Sequence, residues 1–312
     1  MTTEISARSP GLGMRLFRPL LNAVPVGISI TGRRSASVLK LCDALSGITG
    51  GRGAASIAGA ELDLDLAHTP ERLLYYASSN LIRSYEDSEL YILLKLVAKT
   101  AGLFVDIGAN LGIYSLLARS LGLATASFEP EPRHSAFLKR NQRSLGRIYD
   151  CALSDANETA RFFVAGTINS GASSLVGAPA ARAGAQSEYD HSVEVFVKTF
   201  DSIIAGDGVD PSEIRLVKID VEGNEARTVR GMQSYLRRPD AAPIWCEVRG
   251  PASGRATNSY AEVITIMAAA GFEPFQMNGC RLHPFRERDP LPTVFDLLFL
   301  HPRHAELRAL CE

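Results

Sequence analysis

Between residues 103 and 300 the chain passes repeatedly from a short run that is almost wholly apolar to a stretch with helical periodicity. Leu103-Phe104-Val105 leads into a helical pattern over 113–121, the run 124–128 into one over 134–144, and a third run over 148–153 follows. The run 214–219 precedes a helical pattern over 224–236, and 243–248 precedes one over 260–270. A strand with one face in water alternates polar and apolar residues, whereas one that is apolar at nearly every position is covered on both faces. Such strands, separated by helices, are joined by crossovers and lie mostly parallel. With a terminal antiparallel pair over 272–277 and 295–300, the pattern predicts a doubly wound, Rossmann-like α/β fold around a mostly parallel seven-stranded sheet.

Ahead of this core, Glu61-Leu62-Asp63-Leu64-Asp65-Leu66 alternates with a period of two and reads as a half-buried strand. Helical patterns follow over 70–79 and 85–99. The second carries Leu90, Leu93, Leu94 and Val97 on one stripe, with Glu86, Asp87 and Glu89 at its positive N-terminal end. Residues 1–58 are rich in Gly, Ala and Ser, with Gly50-Gly51-Arg52-Gly53 as a soft spot. Arg15, Arg18 and the stretch 20–30 faintly resemble a signal peptide, but Pro19, Asn22 and Pro25 interrupt it, so a flexible leader is expected. The chain divides into an N-terminal extension over 1–74, a core domain over 75–302 and a tail over 303–312. Two further strands, near 161–165 and 193–197, flank a loop over 166–192 rich in Gly, Ala and Ser. A loop of that length suits a mobile connector or a flap over a substrate equally well.

Composition narrows the function. Lys and Arg total 33 against 34 for Asp and Glu, a formal net charge of -1, and no basic stretch interleaved with aromatics is present, so no nucleic-acid partner is expected. No apolar run is long enough to span a bilayer. Cys42, Cys151, Cys246, Cys280 and Cys311 form no C-x-x-C pair, which argues for reduced thiols in a cytoplasmic protein.

The most specific segment is Phe104-Val105-Asp106-Ile107-Gly108-Ala109-Asn110-Leu111-Gly112-Ile113-Tyr114, where a strand ends in an acid and a glycine turn opens a helix. Gly108 and Gly112 let the backbone turn tightly beside a ligand, and N–H groups at the helix start favour a carboxylate. The spacing differs from the Gly-x-Gly-x-x-Gly of nicotinamide dinucleotide sites and suits a ligand with an amino-acid head and no pyrophosphate. Asp106 is placed to accept from an ammonium or to organise the loop. Glu129, ending the second strand, can grip two ribose hydroxyls, and Asp155, after the third, can meet an adenine amine. Any one of these acids alone is as well explained as a turn or helix cap. Three acids at three consecutive strand ends are not.

These segments, with Phe128-Glu129-Pro130, Ala152-Leu153-Ser154-Asp155 and Lys218-Ile219-Asp220-Val221-Glu222-Gly223-Asn224-Glu225, resemble the FkbM-type methyltransferase family. Tyr85-Glu86-Asp87-Ser88-Glu89 and Ser173-Ser174-Leu175 fit the same pattern, and the resemblance covers roughly residues 75 to 300. Asn224 stands where the family commonly has alanine. The resemblance implies a class I methyltransferase fold, S-adenosylmethionine as donor, and O-methylation of a small-molecule hydroxyl such as that of a sugar, polyketide or other natural product.

A neutral alcohol is a poor nucleophile, so the acceptor needs a base or a metal. Asp220 ends the fourth strand, Glu222 follows two residues later, and Glu247 lies near the end of the fifth. Either Asp220 or Glu222 acts as general base, or Asp220, Glu222 and Glu247 bind Mg²⁺ that acidifies the hydroxyl. The metal-free version is preferred. Glu225 suits a helix-dipole charge, Trp245 and Cys246 suit the core, and Arg249 suits an acidic acceptor or a neighbouring carboxylate. His191, in the long loop, is a minor candidate base. A non-catalytic S-adenosylmethionine or adenosylhomocysteine binder on the same fold is the alternative, and the retained acids at 220, 222 and 247 count against it.

Overall fold

In the computed structural model, residues 51–75, 85, 88–166, 173–176, 189–206, 209–251, 260–287 and 291–309 are described. The chain begins there with a hairpin, β1 (Arg52–Ile57) and β2 (Ala60–Asp65), paired in register from Arg52↔Asp65 to Ile57↔Ala60. The glycine-rich soft spot is thus the entry to a strand, and β2 buries Leu62 and Leu64 on one face, as its alternation requires. The expected leader and the acids Glu86 and Asp87 lie outside the described residues.

Helix α1 (Glu89–Val97) is capped by Ser88, whose hydroxyl accepts from the Tyr91 N–H, and it buries Leu90, Leu93 and Leu94. The core alternates from there: β3 (Leu103–Ile107), α2 (Ile113–Ser120), β4 (Ala124–Phe128), α3 (Pro132–Arg140), α4 (Gln142–Leu145), β5 (Arg147–Tyr149) and β6 (Ala152–Leu153). Then come β7 (Glu158–Ala165), β8 (Tyr189–Lys198), α5 (Phe200–Gly206), β9 (Ile214–Ile219), α6 (Glu225–Arg230), α7 (Gln233–Leu236) and β10 (Ile244–Arg249). The chain closes with α8 (Tyr260–Ala269), β11 (Glu273–Asn278), β12 (Arg281–Pro284), β13 (Val294–Leu300) and α9 (Ala305–Arg308).

The main sheet runs β12-β11-β13-β10-β9-β3-β4-β5. Strands β5, β4, β3, β9 and β10 pair in parallel, and β13 inserts antiparallel between β10 and β11. This is the expected Rossmann-like sheet with an eighth, edge strand, β12, hairpinned onto β11. The expected third strand over 148–153 divides, because β5 ends at Tyr149 while β6 joins β8 and β7 in a separate three-stranded sheet. Strand β8 begins at Tyr189, so the loop expected over 166–192 is shorter, and His191 sits on a strand opposite Val164.

The hairpin packs into one apolar cluster with Leu111, Ile113, Leu116, Leu117, Phe137, Leu138 and Leu145. Asn141, at the α3–α4 junction, accepts from the Asp63 N–H at 2.7 Å and donates to the Asp63 carbonyl at 2.9 Å. Glu71, buried beside them, pairs with Arg140 and accepts from the Asp65 N–H at 2.6 Å. The extension therefore buttresses the helices behind the glycine turn. Among the described residues no helix is long and apolar enough to cross a membrane.

Candidate active site

A cavity of about 330 Å³ opens over the ends of β3, β4 and β9. The glycine turn forms one wall. Gly108, Asn110 and Gly112 all have positive φ, at 77°, 52° and 67°. The turn is held from behind: Gly108 and Ala109 N–H groups both donate to the Phe128 carbonyl at 3.0 Å, and the Asn110 N–H donates to Glu129 Oε2 at 2.7 Å. A Cβ on Gly108 would lie 1.8 Å from the Asp220 carbonyl oxygen, so only glycine lets the turn approach the end of β9. Gly112 lies off the cavity, where a Cβ would meet Leu145 at 2.7 Å and Leu138 at 2.9 Å.

Glu129 lines the cavity and is fully buried; its Oε1 accepts from the Glu131 N–H at 2.9 Å. Burial pushes its carboxyl up to about 7 although the Glu131 and Asn110 N–H groups favour the anion. Asn110 Oδ1 is buried at the same wall without a hydrogen-bond partner among the described residues. Beyond Glu129 the wall turns apolar, with Cys151, Ala152, Leu153 and Phe162, and includes His134, whose imidazole burial and His68 hold neutral by lowering its pKa to about 3. Ser173 and Leu175 close part of the wall, anchored by Ser174: its hydroxyl donates to the Glu222 carbonyl at 2.7 Å, and its backbone bridges to Phe163.

Asp106 and Asp155 stand elsewhere than expected. Asp106 is buried beneath the turn, accepting from Ser115 Oγ at 2.8 Å and pairing with Lys218 Nζ at 3.2 Å, and does not line the cavity. Asp155 faces away, paired with Arg227 at 2.7 Å and Arg230 at 3.5 Å. Because β6 has left the main sheet, the residue after it no longer points over the strand ends.

The three candidate catalytic acids converge. Each of Asp220, Glu222 and Glu247 offers a carboxylate oxygen within 4.8 Å of the others, and all three line the cavity. Glu222, in a left-handed conformation with φ 55°, pairs with Arg249. Asp220 pairs with Lys218 at 3.4 Å. Glu247 lies opposite Asp296 on β13, and burial, with the charges of Asp220, Asp296 and Glu225, pushes its carboxyl up to about 9. Burial and Asp220 push Asp296 up to about 6. Glu225 begins α6 and accepts from the Gly223 N–H at 2.7 Å, a local cap. Cys246 lies fully in the core; Trp245 is buried too but donates from Nε1 to Asp296 at 3.1 Å.

A second chamber of about 90 Å³ adjoins the first under the start of α1. Tyr114, Lys218, Asp220 and Glu247 line both; Ser88, Glu89, Trp245 and Asp296 line the chamber alone. Lys218 and Asp296 carry no local signal of a role, since their partners Asp106 and Trp245 lie far off in the chain, while Tyr114 and His134 line the wall from the first turns of α2 and α3. His191 lines neither cavity.

A methyltransferase FkbM domain profile matches residues 106–274, more than half of the chain, a span that holds Asp106, Glu129, Asp155, Asp220, Glu222 and Glu247. The chain belongs to the FkbM methyltransferase family. Methyl transfer from S-adenosylmethionine is the chemistry that membership implies. A search of curated proteins finds no match. Among solved structures, this methyltransferase is similar to magnesium protoporphyrin IX methyltransferase from Synechocystis PCC 6803 with bound S-adenosylmethionine. That alignment has 10% identity and a TM-score of 0.37, covering 71% of this chain and 81% of that one. It is also similar to precorrin-6y C5,15-methyltransferase from Geobacter metallireducens GS-15, at 10% identity and a TM-score of 0.34 over 68% of this chain and 87% of that one. Likeness this loose carries no argument about the site.

Proposed function

We propose that this methyltransferase O-methylates a hydroxyl of a small molecule (a sugar, polyketide or other natural product), with the donor in the larger cavity and the acceptor hydroxyl directed at Asp220. The observation that carries the reading is the shared wall: Lys218, Asp220 and Glu247 line both the cavity behind the glycine turn and the chamber beside it. A donor and an acceptor meeting at that wall would face each other across it.

The larger cavity suits S-adenosylmethionine on its own residues. The Asn110 Oδ1, buried without a partner among the described residues, is available to a hydrogen-bond donor. Glu129 is placed for ribose hydroxyls, and the apolar slot of Cys151, Ala152, Leu153 and Phe162 for an aromatic base. Gly108 admits the ligand to the backbone. Gly112 and Asp106 support the turn from behind, and Asp155 does not enter this reading. Bound there, S-adenosylmethionine supplies a methyl group on a sulfonium leaving group.

Alignment is then the main demand on the protein, and well-oriented groups can supply about 7–11 kcal/mol. Asp220, cavity-facing and a third exposed, accepts the acceptor's hydroxyl proton. Glu247, protonated near neutrality, donates a hydrogen bond that orients the acceptor oxygen. Glu222 is held by Arg249 and fixes the loop that carries it. Two cations, Lys218 and Arg249, already offset Asp220 and Glu222, which favours a site working without a divalent metal.

The test is calorimetric titration with S-adenosylmethionine and NAD⁺, followed by methyl transfer to hydroxylated acceptors with and without EDTA. Binding of S-adenosylmethionine alone and EDTA-resistant transfer are expected. No binding to folded protein overturns the reading, and binding without transfer to any acceptor would favour a non-catalytic binder. EDTA-sensitive transfer would put a metal among the three acids.

A further inference from the structure

We infer that Lys218 is a positioning residue that fixes the glycine turn against Asp220, so that donor affinity depends on its ammonium. The inference rests on the donor site proposed above. Strand β9 is otherwise buried and largely apolar over its C-terminal half, and Lys218 is only 5% exposed within it. A charge in such a place is tolerated only when fully paired. Its Nζ donates to the Gly108 carbonyl at 3.0 Å and lies 3.2 Å from Asp106 Oδ1 and 3.4 Å from Asp220 Oδ2. It also stands 5.8 Å from the centre of the Tyr114 ring.

Pairing with Asp106 alone would satisfy a structural ion pair. The other two contacts reach cavity walls on different segments: the carbonyl of the first turn glycine and the acid ending β9. Only 1.8 Å would separate a Gly108 Cβ from the Asp220 carbonyl, so the two walls are already at closest approach, and one ammonium pins both. Burial works against the charge, but the flanking Asp106 and Asp220 outweigh it and raise the Lys218 pKa, so the ammonium persists.

Removing the ammonium by Lys218→Met strands Asp106 as a buried unpaired acid and can unfold the chain. The informative variant is the pair Asp106→Asn with Lys218→Met, which removes both charges together but not the turn's need for a tether. Titration of folded double variant with S-adenosylmethionine is expected to keep wild-type stoichiometry while Kd rises about 10- to 100-fold, the worth of one hydrogen bond from a charged group. A purely structural role predicts the reverse, fewer competent molecules with an unchanged Kd, and that result overturns the inference. In the wild-type protein, the Lys218 ammonium signal in ¹⁵N NMR should move when adenosylhomocysteine saturates the site. An unmoved signal refutes the inference even if neither variant folds. Failure of wild-type protein to bind S-adenosylmethionine would instead refute the donor site itself.

Discussion

Gly108→Ala tests the turn most directly. At φ 77° any side chain adds strain of about 1–2 kcal/mol. The new Cβ would sit 1.8 Å from the Asp220 carbonyl oxygen, where real Cβ contacts essentially never fall under 3.0 Å, so the turn and the end of β9 must part by about 1.2 Å. Both are backbone, and neither can rotate away. A displacement of that size takes the turn's hydrogen bonds to a ligand out of range, and losing two of them costs roughly 3 kcal/mol, or about 100-fold in Kd. Gly112→Ala is the control: its φ of 67° brings similar strain, but its Cβ meets the ends of the Leu145 and Leu138 side chains, which can yield. Thermal melts should show both variants destabilised, Gly108→Ala the more, because backbone rather than side chain must give way. Calorimetry with S-adenosylmethionine should then show Gly108→Ala weakened about 100-fold and Gly112→Ala only a few-fold. Equal losses, or a folded Gly108→Ala protein that binds like wild type, would refute the argument that this close approach builds the site.

Three further outcomes are expected. Asp220→Asn should lower kcat by about 10²–10⁴-fold, the usual worth of a general base, while Glu247→Gln, a mimic of the protonated acid, should cost under about ten-fold in steady-state kinetics. Ser174→Ala leaves the Glu222 carbonyl and the Val176 N–H without the hydroxyl they share, at a cost of about 1–3 kcal/mol, so hydrogen exchange over 173–176 should quicken and donor affinity fall. At neutral pH the folded chain holds protons on Glu247 and partly on Glu129, whose pKa values are raised to about 9 and about 7, so stability should fall as pH rises from about 4.5 through those values. Chemical denaturation at stepped pH across that range measures the fall, and a flat profile would refute the raised values.

The core strands were legible because a chain segment covered on both faces has no choice but to be apolar along its length. What escaped was set by neighbours rather than by local pattern. Strand β12, Arg281-Leu282-His283-Pro284, buries only Leu282, as an edge strand can, and so carries no run to read. The run 148–153 looked continuous, yet the chain changes sheets between Tyr149 and Ala152, and periodicity does not say which partner a strand will choose. That one change of partner also redirected Asp155 from the cavity to Arg227.

The site divides along the same line. Gly108, Asn110, Glu129, Asp220, Glu222 and Glu247 share one cavity wall because each sits where a strand delivers its last residues to the crevice, a rule of position that needs no knowledge of contacts. Asp106 obeys the same rule and yet is buried, because Lys218, 112 residues away, stands beside it on the next strand and takes its charge inward. For Asp106, then, cross-strand register rather than position along the strand decides whether the acid reaches the cavity. The register here places Lys218 beside Asp106 and Trp245, and Glu247 opposite Asp296. It gathers the carboxylates of Asp220, Glu247 and Asp296 around one another, and of that group only Asp220 has the lysine within ion-pair distance. Burial and the charges of those neighbours push the Glu247 carboxyl up, and on the proposed reading Asp220 is the acid of the group that the acceptor hydroxyl meets.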